Sequence, residues 1–281
     1  MATAARIWLI TGVSSGFGQE LARAILARGD TVVGTLRRKE QAAAFEALAP
    51  GRAHARLLDV TDSAAIPPLV AAVERDIGPV DVLVNNAGYG LGGAVEELDD
   101  GECRHVMETN FFGTLNLIKA VLPSMRKRRS GHIINFSSMA GIVGFPGFGL
   151  YNASKFAVSG LTEALAGELA PFGIRATVVE PGGFRTNFAG GSLAIARNPM
   201  PEYAETAAAR PRVMKEHYHG TQRGDPAKAA AAVIAIVDAA NPPVHLLLGP
   251  DAVAAARGKL DRFGAEITAW EALSNSTDFS N

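Results

Sequence analysis

The chain has 281 residues, 48% of them hydrophobic and 20% charged, enough to bury a sizeable core as one large α/β domain or two small ones. A formal net charge of −1 gives no electrostatic footprint for nucleic acid or an anionic membrane surface, and the single cysteine, Cys103, excludes an intrachain disulfide. The start "MATAARIWLITG" lacks the regions of a signal peptide, and the longest apolar run, "AAAAVIAIV" (229–237), is too short to span a bilayer, so a cytoplasmic protein without membrane insertion is expected.

In chain order, nearly continuous hydrophobic strands are predicted at 6–10, 31–36, 54–60, 80–84, 131–137, 174–180 and 244–248. Helices are predicted near 17–28, 39–48, 63–76, 101–128, 152–170 and 226–239. This βαβ alternation implies a single Rossmann-type domain, a doubly wound parallel sheet of about seven strands with helices on both faces. Ligands then bind at the C-terminal ends of the strands. The segment 187–225 breaks the rhythm; a connection of that length in a compact domain is a lid or binding element, or else disordered. Residues 250–281 form a C-terminal extension, and no repeat or linker divides the chain. Lys127, Arg128 and Arg129 fall where a helix ends, where cations complement the helix dipole.

The first strand runs into "ITGVSSGFGQE" (10–20), with glycines at 12, 16 and 18. A plain β-to-α turn often carries one glycine. Three, with Thr11, Ser14 and Ser15 beside them, suit the close approach of a pyrophosphate to a helix N-terminus. At the end of the second strand "GTLRR" has no acid to hold a ribose 2′-hydroxyl. Arg37 and Arg38 there suit a 2′-phosphate, which favours NADP(H) while leaving NAD(H) open; the plainer reading is two solvated arginines at a helix start. "YNASK" sets Tyr151 four residues before Lys155, on one helical face, a spacing that chance supplies in about one such chain in ten. His217 and His219, at i and i+2 with no carboxylate cluster, do not suggest a metal site.

Together "TGVSSGFG" (11–18), "LDV" (58–60), "NNAG" (85–88), Asn110 in "ETNFFG", Ser138 in "INFSSMAG", "YNASK" (151–155) and "PGGFRT" (181–186) resemble the short-chain dehydrogenase/reductase family, in its order and spacing, over residues 5 to 250. "GTLRR" and the C-terminal extension are most similar to its hydroxysteroid and retinol dehydrogenase-like branch. The resemblance implies a catalytic set of Asn110, Ser138, Tyr151 and Lys155. Tyr151 would be the general acid/base. Lys155 would tune it and bind the nicotinamide ribose, Ser138 would bond the substrate oxygen, and Asn110 would hold a relay water. It further implies cofactor contacts from Gly12, Ser14, Ser15, Gly16, Phe17, Gly18, Arg37, Arg38, Asp59, Val60, Asn86, Ala87, Gly88, Pro181, Gly182 and Thr186. Asp59, Asn85 and Asn86 also have a structural reading, as residues bonding nearby backbone or the next strand.

Ser138 precedes Tyr151 by thirteen residues, across a loop containing Gly141, Gly144, Gly147 and Gly149 that could fold back to join them. Phe145, Phe148, Phe184, Phe188, Met214 and Tyr218, with Tyr89, offer an apolar lining that fits a hydrophobic ketone or secondary alcohol. Simple packing is the alternative for each aromatic. In many relatives helices 101–128 and 152–170 build four-helix interfaces, so a homodimer or homotetramer is expected. Two other functions stay open: an NADP(H)-sensing protein without turnover, and a sugar-nucleotide epimerase or dehydratase. The first is disfavoured by a complete catalytic set, the second by the glycine spacing and the lack of a larger C-terminal domain.

Overall fold

The strands alternate their side chains between two apolar layers, and this organises the protein. In β1 (Ile7–Thr11), Trp8 and Ile10 enter one core while Leu9 enters the other. The computed structural model describes residues 5–279. After β1 come α1 (Gly16–Ala27), β2 (Thr31–Leu36), α2 (Ala42–Glu46), β3 (Ala53–Leu57), α3 (Ile66–Asp76), β4 (Val82–Asn85) and a short β5 (Gly90–Gly92). There follow α4 (Asp100–Met107), α5 (Gly113–Arg128), β6 (Gly131–Phe136), α6 (Gly149–Leu169), β7 (Ile174–Pro181), β8 (Leu193–Ile195), α7 (Ala209–His217), α8 (Pro226–Asp238), β9 (His245–Leu248) and α9 (Pro250–Asn275).

Seven strands form one parallel sheet in the order β3-β2-β1-β4-β6-β7-β9. The order reverses beside β1, so α1 and the turn after β4 open a crevice at the C-terminal edge. One core joins Trp8, Ile10, Leu21, Ile25 and Val233, under α1 and α8. The other joins Leu9, Leu83, Ile133, Leu117 and Leu165, under α3, α5 and α6.

Two expectations change, and two segments left without assigned elements gain them. The helix expected over 101–128 is interrupted by a π-helical turn, Glu108–Phe112, which inserts Asn110 into the interior. The strand expected to reach residue 60 ends at Leu57, because Asp59 turns the chain by accepting from the Thr61 backbone N–H at 3.0 Å. The segment 187–225, expected as a lid or binding element or else disordered, contains β8, a 3₁₀ turn at Pro201–Tyr203 and α7. The C-terminal extension carries the longest described helix, α9.

Candidate active site

A cleft of about 1100 Å³ lies over the C-terminal edge of the sheet. One wall is the turn from β1 to α1. Gly12 and Gly16 have positive φ, +72° and +58°, which side chains rarely adopt, and a Cβ on Gly18 would lie 2.3 Å from the Gly12 carbonyl oxygen. Only glycines permit this turn. Ser15 caps α1 without a side-chain hydrogen bond and no acid occupies the first turn, so N–H groups at the positive end of the helix dipole are left to meet an anion. Gly12, Ser14, Ser15, Gly16 and Phe17 line the cleft, whereas Gly18 sits behind them as packing. Phe17 is held by Phe136 and Phe184, ring centroids 5.4 and 5.1 Å away.

The same wall continues through Thr35, Leu36 and Arg37 to Asp59 and Val60. Arg37 and Arg38 are both exposed and neither forms an ion pair among the described residues; Arg37 lines the cleft and Arg38 lies outside it. Asp59 accepts from the backbone and hydroxyl of Thr61, and these bonds, with Arg37 nearby, hold its carboxyl below the usual range. Asn86, Ala87 and Gly88 form the floor. The Asn86 amide donates to the Thr11 and Gly12 carbonyls at 2.9 and 3.0 Å, clamping the glycine turn to β4, and Asn85 donates to Asn135 on β6 at 2.8 Å. Both asparagines are therefore structural pins as well as neighbours of the cleft. Pro181, Gly182 and Thr186 line the opposite side.

At the cleft's centre α6 presents Tyr151 and Lys155, one turn apart on one buried face. The Lys155 Nζ stands 5.9 Å from the tyrosine ring centroid and donates to the Phe136 carbonyl at 2.9 Å. Ser138 caps the short turn after β6, its hydroxyl accepting from the Ala140 N–H at 3.1 Å. Burial pushes the Tyr151 phenol up to about 12, the Ser138 hydroxyl pulling the other way, and brings the Lys155 amine down to about 8. At neutral pH the phenol therefore holds its proton and can donate it.

Asn110 does not line the cleft. Its Oδ1 accepts from the Tyr89 N–H at 3.0 Å, while its Nδ2 donates to the Tyr89 carbonyl and to the Ser154 hydroxyl, each at 3.0 Å. A Cβ on Gly88 would come within 2.9 Å of that Oδ1, so the glycine admits the asparagine. Asn110 thus ties the turn after β4 to the helix that carries Tyr151.

The remaining wall sets aromatic side chains beside polar ones, among them Arg197, Arg210, Lys215 and Gln222. Tyr151 lies 5.4 Å from Phe188 and 6.3 Å from Phe148, and Tyr89, Phe145, Phe184, Met214 and Tyr218 also line the cleft. The glycine loop 139–150 does fold back, placing Ser138 and Tyr151 on one cavity. Sequence reading missed Arg210, stacked 4.6 Å over Phe145, and Lys215, which donates to the Leu193 carbonyl at 2.9 Å. It also missed the hydrogen-bonded chain Lys155 carbonyl–Ser137–Ser159–Glu180–His245, which runs from the interior to the exposed His245 with links of 2.9 to 3.0 Å. Only the doubled serine at 137–138 hinted at that second role. Among the described residues no cluster of three potential metal ligands exists, and no helix is long and apolar enough to cross a membrane.

Known proteins carry the same organisation. The family model described as short chain dehydrogenase matches residues 6–194. The chain is 40% identical to the 3-ketodihydrosphingosine reductase of Bacteroides thetaiotaomicron, over 87% of this chain and 88% of that one. It is 38% identical to human retinol dehydrogenase 8, over 87% of this chain and 82% of that one. A solved short-chain dehydrogenase from Streptomyces avermitilis superposes with a TM-score of 0.92 at 46% identity, covering 99% of this chain and 100% of that one. A serine dehydrogenase complexed with NADP+ superposes with a TM-score of 0.75 at 27% identity, covering 87% of this chain and 94% of that one. With a glycine turn shaped for a nicotinamide dinucleotide leading to Ser138 and the buried Tyr151 and Lys155, this chain belongs to the short-chain dehydrogenase family of oxidoreductases, which act between C–OH and C=O groups.

Proposed function

We propose that the protein is an NADP(H)-dependent oxidoreductase acting on a hydrophobic ketone or secondary alcohol, with Tyr151 as its general acid and base. One observation carries this reading: Ser138, Tyr151 and Lys155 share an aromatic-lined cleft whose far end is a glycine turn with free helix N–H groups. A nicotinamide cofactor, when bound, supplies or takes the hydride. Gly12, Ser14, Ser15, Gly16 and Phe17 would hold its pyrophosphate. Asp59, Val60, Asn86, Ala87 and Gly88 would surround the adenosine. Pro181, Gly182 and Thr186 would hold the nicotinamide end, with Lys155 on its ribose. Arg37, unpaired and on the cleft wall, would take a 2′-phosphate, assisted by Arg38 from the rim.

Ser138 donates to the substrate oxygen, orienting it toward the phenol. Tyr151 gives its proton to that oxygen in reduction and recovers it in oxidation, and the proton is replaced through the phenol's polar neighbours. Lys155, as an ammonium, favours the phenolate left behind and so draws the phenol down from about 12 at the moment of transfer. Asn110 is a positioning residue, holding α6 against the turn after β4. The aromatic side chains on the wall admit a hydrophobic substrate, and the Bacteroides relative is named a reductase of 3-ketodihydrosphingosine, a ketone.

The test follows NADPH consumption with aryl, alicyclic, steroid and aliphatic carbonyls. Tyr151→Phe is expected to lower kcat/KM by roughly 10²- to 10⁴-fold with nucleotide binding intact. Arg37→Ala/Arg38→Ala should raise the KM for NADPH by about tenfold or more and leave NADH unchanged. Equal use of both cofactors by the wild type would remove the assignment of the arginines. Tight NADPH binding without turnover of any carbonyl or alcohol would instead favour a sensing protein.

A further inference from the structure

Helix α9 begins docked and ends alone. Ala252 and Ala256 are buried and Asp251 accepts from the Gly183 N–H at 2.7 Å, but every residue from Leu260 to Asn275 is exposed. Those sixteen residues extend about 24 Å from the body at the usual helical rise. A helix of that length is marginal in water without an apolar face to bury. It has such a face. Leu260, Phe263, Ile267, Trp270 and Leu273, between 50% and 68% exposed, continue the stripe begun by Ala252 and Ala256, at the three- and four-residue steps of a coiled-coil seam. Apolar side chains of this size present roughly 100–250 Å² each, so the five offer on the order of 500 Å² per protomer, and two copies about 1000 Å², the threshold for a stable interface.

From this we infer that α9 is an association surface whose occupant is α9 of a second copy of this chain, running antiparallel. Two features select that partner over a membrane surface or an unrelated protein. The seam is its own complement about Ala265: Leu260 meets Trp270 of the second copy and Phe263 meets Ile267 of the second copy, as a two-fold axis requires. Charge is segregated along the helix as well. Arg257, Lys259 and Arg262, with Asp251 and Asp261, lie in the first half of α9, where Asp251 is taken up by the Gly183 N–H, while the second half carries Glu266 and Glu271 and no cation. Antiparallel packing sets Arg257 opposite Glu271 of the second copy; parallel packing would set like against like. Glu266 falls near its own symmetry mate, with Arg262 one turn before it to offset the repulsion. Gly264, whose added Cβ would meet nothing within 4 Å, sits beside the axis where the two backbones approach.

The experiment uses the full chain with Cys103→Ser. Oxidised Gly264→Cys is expected to give a disulfide-linked dimer on a non-reducing gel, and Ala272→Cys, outward and off the axis, is not. By light scattering, Leu260→Ser/Trp270→Ser should halve the mass of the wild-type particle, whether the body pairs further through the face bearing exposed Phe112 and Phe156 or not. Arg257→Glu and Glu271→Arg should each weaken association about tenfold, and the double swap should restore it. Carbonyl turnover reports that each variant is folded, and association is scored independently of it. An unchanged mass for the seam variant overturns the inference. So does cross-linking at 272 as readily as at 264, or a monomeric wild type whose α9 binds phosphatidylserine vesicles instead.

Discussion

Lys155 shows how a single side chain can oppose stability in order to serve chemistry. Its amine is buried against the Phe136 carbonyl and brought from 10.5 to about 8, so the folded protein holds that proton less tightly than the unfolded chain does. Below pH 8 both states are protonated and the penalty is complete, roughly 3 kcal/mol by linkage; between 8 and 10.5 the folded state releases the proton first and the penalty fades. Lys155→Met should therefore raise the thermal midpoint of the cofactor-free protein by a few degrees at pH 7, a gain that shrinks toward pH 10, while abolishing turnover. A variant less stable than wild type at pH 7 would mean that the Phe136 bond outweighs desolvation. The residues of this centre were readable because each is a chemically distinctive type at a fixed spacing: Tyr151 and Lys155 by one helical turn, Ser138 by the end of a strand. Asn110 was readable as a member of the site but not in its position. Its place behind the cleft depends on a π-helical turn that no periodicity in "ETNFFG" announces.

At the scale of elements, the segment over the cleft is fastened by acids that precede it in sequence by about a hundred residues. Buried Glu97 accepts from the Met200 N–H at 2.9 Å, Asp99 and Glu102 pair with Arg197 at 2.7 and 3.4 Å, and Glu96 accepts from the Tyr203 hydroxyl at 2.7 Å. Below these, β8 pairs with β5 directly after "NNAG", where a Cβ on Gly90 would meet Phe188 at 2.7 Å. Removing the Glu97 carboxylate leaves the Met200 and Ala94 N–H groups without their acceptor, a loss of about 1–3 kcal/mol that falls mostly on this segment. Glu97→Ala is thus expected to speed tryptic cleavage at Arg197 and raise the KM for carbonyl substrates several-fold, with NADPH affinity unchanged. Cleavage at the wild-type rate would show that the other ties suffice. The sheet strands were legible because both faces are buried and the β-branched runs are continuous. β5, β8 and α7 were not: three-residue strands and a polar nine-residue helix have no period of their own and exist through contacts distant in sequence. Helix α9 escaped for another reason, because its seam faces away from the body and no core of this chain explains it.

For the molecule as a whole, the two apolar layers join at a sheet whose interior is not entirely apolar, and its acid stability follows from that. His132 lies buried in β6, where desolvation, with Arg175 and Arg6 adding to it, holds the ring down to about 4. Its Nε2 lies 3.0 Å from the Thr177 hydroxyl, whose own proton goes to the Pro243 carbonyl, so the ring is the Nε2–H tautomer and Nδ1 has no partner. The unfolded chain takes up this proton near 6.5, the folded one only near 4. Neutral His132 therefore leaves stability intact above pH 6.5, and stability falls as pH drops from 6.5 to 4, by roughly 3 kcal/mol across the window. The loss is global rather than local because β6 lies in the centre of the sheet, between β4 and β7, and cannot open without both layers. Urea midpoints measured at pH 7, 5.5 and 4.5 should decline steeply for the wild type. In His132→Gln, whose amide can still donate to Thr177 but cannot titrate, the midpoints should decline less while starting lower at pH 7. Parallel declines in the two proteins would place the acid sensitivity elsewhere, in the carboxylates whose folded pKa is depressed, of which Asp238, bonded by Arg28 and Arg6, is the first to test.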